Sequence, residues 1–172
     1  MRTIATLIGT ALLITTVSAH AAETGGCESF DWPLATEISW MTSNDHLSLK
    51  SGDEVDAIPD KAIKLALLPE GDVKFALAPS GASKSKPTPA YGGTLEIGKI
   101  AEAGLYQVTI SNRGWIDLVQ ADTTLATVAH TGKSDCATVR KSLRFEVKSG
   151  PAVLQLSGVP SPDITVAIRR AE

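Results

Sequence analysis

The chain has 172 residues, with 16 Lys and Arg against 19 Asp and Glu, and its formal net charge is −3 at pH 7. A mildly acidic protein offers no general attraction for nucleic acid or for anionic lipid, and we expect neither as a partner. With three histidines and two cysteines, the chain also has few side chains for metal or nucleophilic chemistry.

The first 21 residues predict a signal peptide. Arg2 precedes an apolar run over residues 4–17, which is followed by the small-residue motif AHA at 19–21. The run is shorter than the stretch of about 20 residues that spans a bilayer. We therefore expect cleavage after this motif, a periplasmic or secreted protein with no membrane insertion after cleavage, and a single β-sandwich domain over residues 22–172.

Both cysteines, Cys27 and Cys136, lie in the mature part of the chain. An even pair in an oxidising compartment predicts one disulfide bond. The alternative is a pair of free thiols or metal ligands.

One short helix is predicted near the N-terminus, in the segment FDWPLATEISWM. Pro33 suits a first helical turn, and Leu34, Ile38 and Met41 recur at the spacing of one helical face. The pattern predicts a helix over residues 33–42.

The rest of the chain has the period-two alternation of β-strands. Residues 63–67 and 73–77 alternate on either side of the turn PEGD and predict a hairpin. Residues 80–93 are rich in Ser, Pro and Gly and predict a long exposed loop, which includes Tyr91.

Further strands are predicted over residues 93–100, 104–110, 115–120, 125–130, 139–148, 152–159 and 164–168. In the strand that begins at Val139, the inward positions are apolar except for Lys141. About nine short strands with frequent turns predict an all-β fold, an antiparallel β-sandwich or jelly roll with one short N-terminal helix.

The runs GLYQVTISNRGWIDLV and SLRFEVKSGPAVLQLSG, with the final ITVAI, resemble the C-terminal half of pre-peptidase C-terminal (PPC-like) domains. These are small jelly-roll accessory modules of secreted bacterial enzymes, and the resemblance covers roughly residues 93–168. The whole chain is also similar to small exported proteobacterial proteins that lack an assigned activity. The resemblance implies a binding or stabilising role and no catalytic residue.

His46 and His130 are the two histidines outside the predicted signal peptide, and they are the candidate metal ligands. With a nearby aspartate they would form the ligand set of a metal-binding protein or a cupin-like oxygenase. The spacings H-x-H and H-E-x-x-H are absent, and so is the nucleophile motif G-x-S-x-G. We therefore predict no catalytic residue and no cofactor, and keep the metal site as the alternative.

The candidate ligand-binding residues are Trp115, Asp117, His130 and Tyr91. The first two alternate with apolar neighbours and face away from the core, and a hairpin turning at ADTT would place His130 opposite them. The favoured function is a non-catalytic binding or accessory protein of the cell envelope, with a ligand, a polysaccharide or a protein as its partner.

Overall fold

The computed structural model describes residues 26–172, and the predicted signal peptide lies outside the described residues. Two six-stranded sheets pack on a shared apolar core, with one short helix beside them. The predicted all-β sandwich is confirmed. Within the described residues, no helix is long and apolar enough to cross a membrane.

The helix α1 precedes the strands in the chain and spans Ala35–Thr42. The strands are β1 (Leu47–Lys50), β2 (Glu54–Ala57), β3 (Ile63–Ala66), β4 (Leu68–Pro69), β5 (Tyr91–Ile100), β6 (Gly104–Ile110), β7 (Trp115–Gln120), β8 (Thr123–Thr124), β9 (Thr127–Gly132), β10 (Lys141–Val147), β11 (Gly150–Val159) and β12 (Asp163–Arg170).

The first sheet has the strand order β1-β3-β12-β6-β10-β9, and the second has β2-β5-β11-β7-β8 with β4 paired to β5. Most neighbours are antiparallel, but β1 with β3 and β2 with β5 are parallel. The expectation of wholly antiparallel sheets is therefore wrong at these two places. The chain passes from β1 in the first sheet to β2 in the second and back to β3. Two reversals of direction leave β3 parallel to β1.

The core is built by the alternation that the sequence shows. One face of each strand turns inward, and the other carries polar residues. The fully buried apolar side chains include Ile63, Leu65, Leu95, Ile97, Val108, Ile110, Leu118, Phe145, Leu154, Leu156, Ile164 and Val166.

A second, smaller apolar cluster surrounds the predicted disulfide, which is confirmed between Cys27 and Cys136. Leu34 and Val139 complete its buried part, and the predicted helical face packs against it. The bond joins the segment before α1 to the connection between β9 and β10.

The helix also buries a charge. Glu37 is fully buried, and its Oε1 accepts a bond of 2.7 Å from Arg169 Nε and another from Gln107 Nε2. These bonds attach α1 to the outer face of the first sheet.

The predicted hairpin over residues 63–77 is wrong. Its first half is β3, but residues 73–77 form no strand. This segment lies across the outer face of the second sheet, where Leu77 exchanges two hydrogen bonds with the side chain of Gln155. The side-chain amide of Gln155 takes the place of a neighbouring strand there, so the alternation persists without sheet pairing.

The predicted hairpin over residues 115–130 is correct only at its tip. β7 pairs with the two-residue β8 around a turn in which Ala121 and Asp122 have positive φ. The chain then crosses to the first sheet, where β9 pairs with β10. β7 and β9 therefore belong to different sheets.

Candidate functional site

A cleft of about 680 Å³ opens at one end of the sandwich. The end of β9 and the start of β10 meet there with the turns β6–β7 and β11–β12 and with the loop before β5. The lining residues are Asp31, Ser85, Lys86, Pro87, Arg113, Gly114, Trp115, His130, Thr131, Gly132, Lys133, Arg140, Lys141, Gly158 and Pro160. The volume lies within the range of small-ligand sites, roughly 300–1,000 Å³.

The cleft concentrates positive charge. Five of the chain's 16 Lys and Arg line it, and Asp31 is the one carboxylate among its lining residues within 26–172. Lys86 forms a salt bridge with Glu70, and the other four cations form none in this described part of the chain. A protein of net negative charge thus presents a locally positive concave surface, which attracts anions.

Two of the cations belong to a closed loop between β9 and β10. Lys133 N donates to Arg140 O at 3.1 Å, and Arg140 Nη1 donates back to Lys133 O at 2.7 Å. Cys136 lies within this loop, so the disulfide bond ties it to the segment before α1. These bonds hold the backbone of both residues at the cleft, and the guanidinium of Arg140 is held by its bond to Lys133 O.

Lys141 is the residue that interrupts the apolar inward positions of the strand predicted to begin at Val139. It is half-buried, and its Nζ lies 5.5 Å from the ring centroid of Trp115. Burial lowers the pKa of its ammonium group, the charge of Arg140 lowers it further, and Asp117 acts in the opposite direction. The geometry gives this ammonium group a cation–π contact and no carboxylate within salt-bridge distance in residues 26–172.

Trp115 forms a fixed wall of the cleft and is 36% exposed. Gly81 packs so closely against its indole ring that an added Cβ would overlap the Cγ and Cδ1 atoms. Gly158 approaches the same ring, where an added Cβ would lie 3.3 Å from Cδ1. The indole therefore packs against two backbone segments, and part of it stays open to solvent.

Of the four predicted ligand-binding residues, the structure brings two together in the cleft, Trp115 and His130. They reach the same cleft from different sheets, and not as partners in one hairpin.

Asp117 does face away from the core as predicted, but it is not open to a ligand. The residue is 4% exposed, and its Oδ2 accepts a bond of 2.9 Å from Ser80 N. Ser80 follows the segment that crosses the second sheet, and this continuation of the segment covers Asp117. Asp117 therefore anchors this segment, which in turn places Gly81 against Trp115.

Tyr91 is not the exposed loop residue that the sequence predicts. It begins β5, pairs with Pro69 on one side and Val159 on the other, and packs half-buried against the core. The loop ends at the residue before it.

His46 and His130 are far apart. His46 directly precedes β1 at one edge of the first sheet, and His130 lies on β9 at the opposite edge, with four strands between them. At about 4.8 Å per strand, the separation is on the order of 20 Å. These two side chains cannot bind one metal ion, and no group of three potential metal ligands occurs within residues 26–172.

None of the five Lys and Arg residues of the cleft is among the predicted site residues. Arg113 lies in a turn, and Lys133 and Arg140 flank a loop, where an isolated charge is typical of a solvated surface. Lys141 was the one visible signal, because a lysine interrupts an otherwise apolar inward face.

Comparison with known proteins does not assign the cleft a function. No protein-family model matches the chain, and no curated protein sequence matches it. The charges and the geometry of the cleft are therefore the basis for its functional interpretation.

Proposed function

We propose that the protein is an exported, non-catalytic binding protein of the cell envelope and that its cleft holds an anionic ligand. The observation that carries the proposal is the convergence of four cations without salt bridges, within residues 26–172, on one cleft. Export is supported by the predicted signal peptide and by the disulfide, which is typical of oxidising compartments. The resemblance to PPC-like modules implies the same kind of binding or accessory role.

The charges of the cleft favour an anion for two physical reasons. Positive charges that converge in a concave site raise the local concentration of anions and their rate of association. Each charge without a salt-bridge partner also offers a charge-assisted hydrogen bond, which is stronger than a neutral one. A ligand held in this way binds more weakly as salt concentration rises.

The experiment that tests the proposal is calorimetric titration with two anionic polysaccharides, polygalacturonate and dextran sulfate, and with neutral dextran. We expect binding of the anionic polymers at low ionic strength, weakening in 0.5 M salt, and no binding of dextran. The double substitution Lys133→Gln/Arg140→Gln should weaken binding at least tenfold. A tenfold change corresponds to about 1.4 kcal/mol of binding free energy, which is less than 1 kcal/mol for each charge-assisted hydrogen bond removed.

A matched control removes the same net charge elsewhere. Lys50 and Lys64 are exposed on β1 and β3, at the edge of the first sheet opposite β9 and β10. The Lys50→Gln/Lys64→Gln variant should bind as the wild type does. Equal weakening in the two double variants would show that net charge, and not the cleft, governs binding, and would refute the proposal.

A further inference from the structure

We propose that the ligand of the cleft is an acidic saccharide, with a carboxylate paired to Lys141 and a sugar ring packed against the open part of Trp115. This inference rests on the proposed function, because it specifies the ligand of the same cleft. It also assigns Lys141 as the residue that selects a charged sugar over a neutral one.

The first step is the unbalanced charge of Lys141. Taking an ammonium group out of water is unfavourable unless an opposite charge accompanies it. Asp117 is the carboxylate that faces it from β7, but that group accepts the backbone N–H of Ser80 and lies beyond salt-bridge distance. The neighbouring Arg140 adds a like charge. A bound carboxylate would supply the counter-charge that the described residues do not.

The second step is the place of Trp115 among the lining residues. It is the one large apolar side chain of the cleft within the described residues. The lining adds two prolines, Pro87 and Pro160, and its other side chains are charged, hydroxyl or imidazole groups. A fatty acid would require an extended apolar wall, which this lining does not provide. A sugar ring has a small face of C–H groups and a rim of hydroxyl groups, and it matches one indole surrounded by hydrogen-bonding groups.

The third step is the spread of the positive charges over separate segments that line the cleft. Lys141 lies at the start of β10, while Arg113 comes from the β6–β7 turn and Lys133 from the other side of the closed loop. A cleft of about 680 Å³ lined by cations from separate turns suits a ligand that repeats its negative charge. An oligosaccharide of uronic acids has one carboxylate on each ring and meets this condition.

The experiment uses four small probes on the mature wild-type protein at low ionic strength: trigalacturonic acid, maltotriose, citrate and AMP. We expect trigalacturonic acid to bind at least tenfold more tightly than maltotriose, which lacks the charges, and than citrate, which lacks the rings. Tight binding by citrate would show that charge alone suffices. Tighter binding by AMP would identify a nucleotide site. Either result would overturn the saccharide proposal and leave the anion-binding function intact.

Two variants test the assignment of Lys141. Lys141→Met should lower the preference for trigalacturonic acid over maltotriose at least tenfold, and Lys141→Arg should retain most of it. Methionine has a similar length and no charge, so we expect the fold to be kept, and circular dichroism checks this. An unchanged preference in folded Lys141→Met would refute the role of this residue. If no anionic probe binds to the wild type, the proposed function fails together with the saccharide proposal.

Discussion

The disulfide bond between Cys27 and Cys136 allows a quantitative prediction. The two residues are 109 positions apart. On the chain-entropy model, closing a loop of this length destabilises the unfolded chain by about 4.8 kcal/mol at 25 °C. We therefore expect the Cys27→Ala/Cys136→Ala variant to lose about this much free energy of unfolding. For a domain of this size, the loss corresponds to a fall in melting temperature of roughly 10–20 °C.

Urea unfolding followed by circular dichroism measures this loss, and a reductant separates its causes. Both sulfur atoms lie in the small apolar cluster, so the double variant also loses their packing. Reduced wild-type protein keeps the sulfur atoms and loses only the bond. We expect reductant to destabilise the wild type by several kcal/mol and to leave the double variant unchanged. A wild type that loses less than about 1 kcal/mol on complete reduction would refute the entropic argument.

Three further predictions concern positions where the structure constrains a side chain. Gly81→Ala should lose about 1–3 kcal/mol of unfolding free energy and change tryptophan fluorescence, because its Cβ overlaps the indole. Gly71→Ala, with open space around it, is the control. Glu37→Gln should cost about 3 kcal/mol in urea unfolding, because it leaves Arg169 without its buried counter-charge. The folded state lowers the pKa of Lys141 below its ordinary value of 10.5, so the folded protein binds fewer protons than the unfolded chain between the two pKa values. Wild-type stability should therefore rise with pH there relative to Lys141→Met, in urea titrations from about pH 7 to 10.5.

Each of these predictions has a result that contradicts it. Equal stability of the two glycine variants would mean that the contact with the indole is not tight. A loss below about 1 kcal/mol in Glu37→Gln would mean that its hydrogen bonds, which glutamine keeps, matter more than its charge. A constant difference in unfolding free energy between wild type and Lys141→Met across the pH range would show that burial does not perturb this lysine.

The strands of the C-terminal half could be predicted because their alternation reflects burial directly. The predicted strands over 104–110 and 115–120 match β6 and β7 in both bounds. Alternation alone could not predict which strands pair. Residues 73–77 alternate between half-buried and exposed side chains because they lie extended across a sheet face. A strand paired at a sheet edge would have the same sequence pattern. The crossing between sheets after β8 depends on tertiary packing that no local pattern records.

The cleft was harder to predict because its charges come from separate turns. Arg113, Lys133 and Arg140 are ordinary loop cations when each is considered alone, and only the meeting of the strand ends makes them neighbours. Asp117 was assigned to an open face because strand alternation places it outward. Its Oδ2 accepts a bond from Ser80, in the segment that the sequence assigned to an exposed loop, so the error about this loop produced the error about the site.

Lys141 shows where sequence reasoning does reach a site of this kind. A strand with apolar residues at its other inward positions has no structural use for a lysine there, since burying the ammonium group is unfavourable. A residue that opposes the folding pattern requires a separate explanation, and binding is the common one. The exception lies beside Trp115, the partly exposed aromatic residue that the sequence also selected. Two independent departures from the packing pattern therefore meet at one point, and this coincidence indicates a site more strongly than either residue alone.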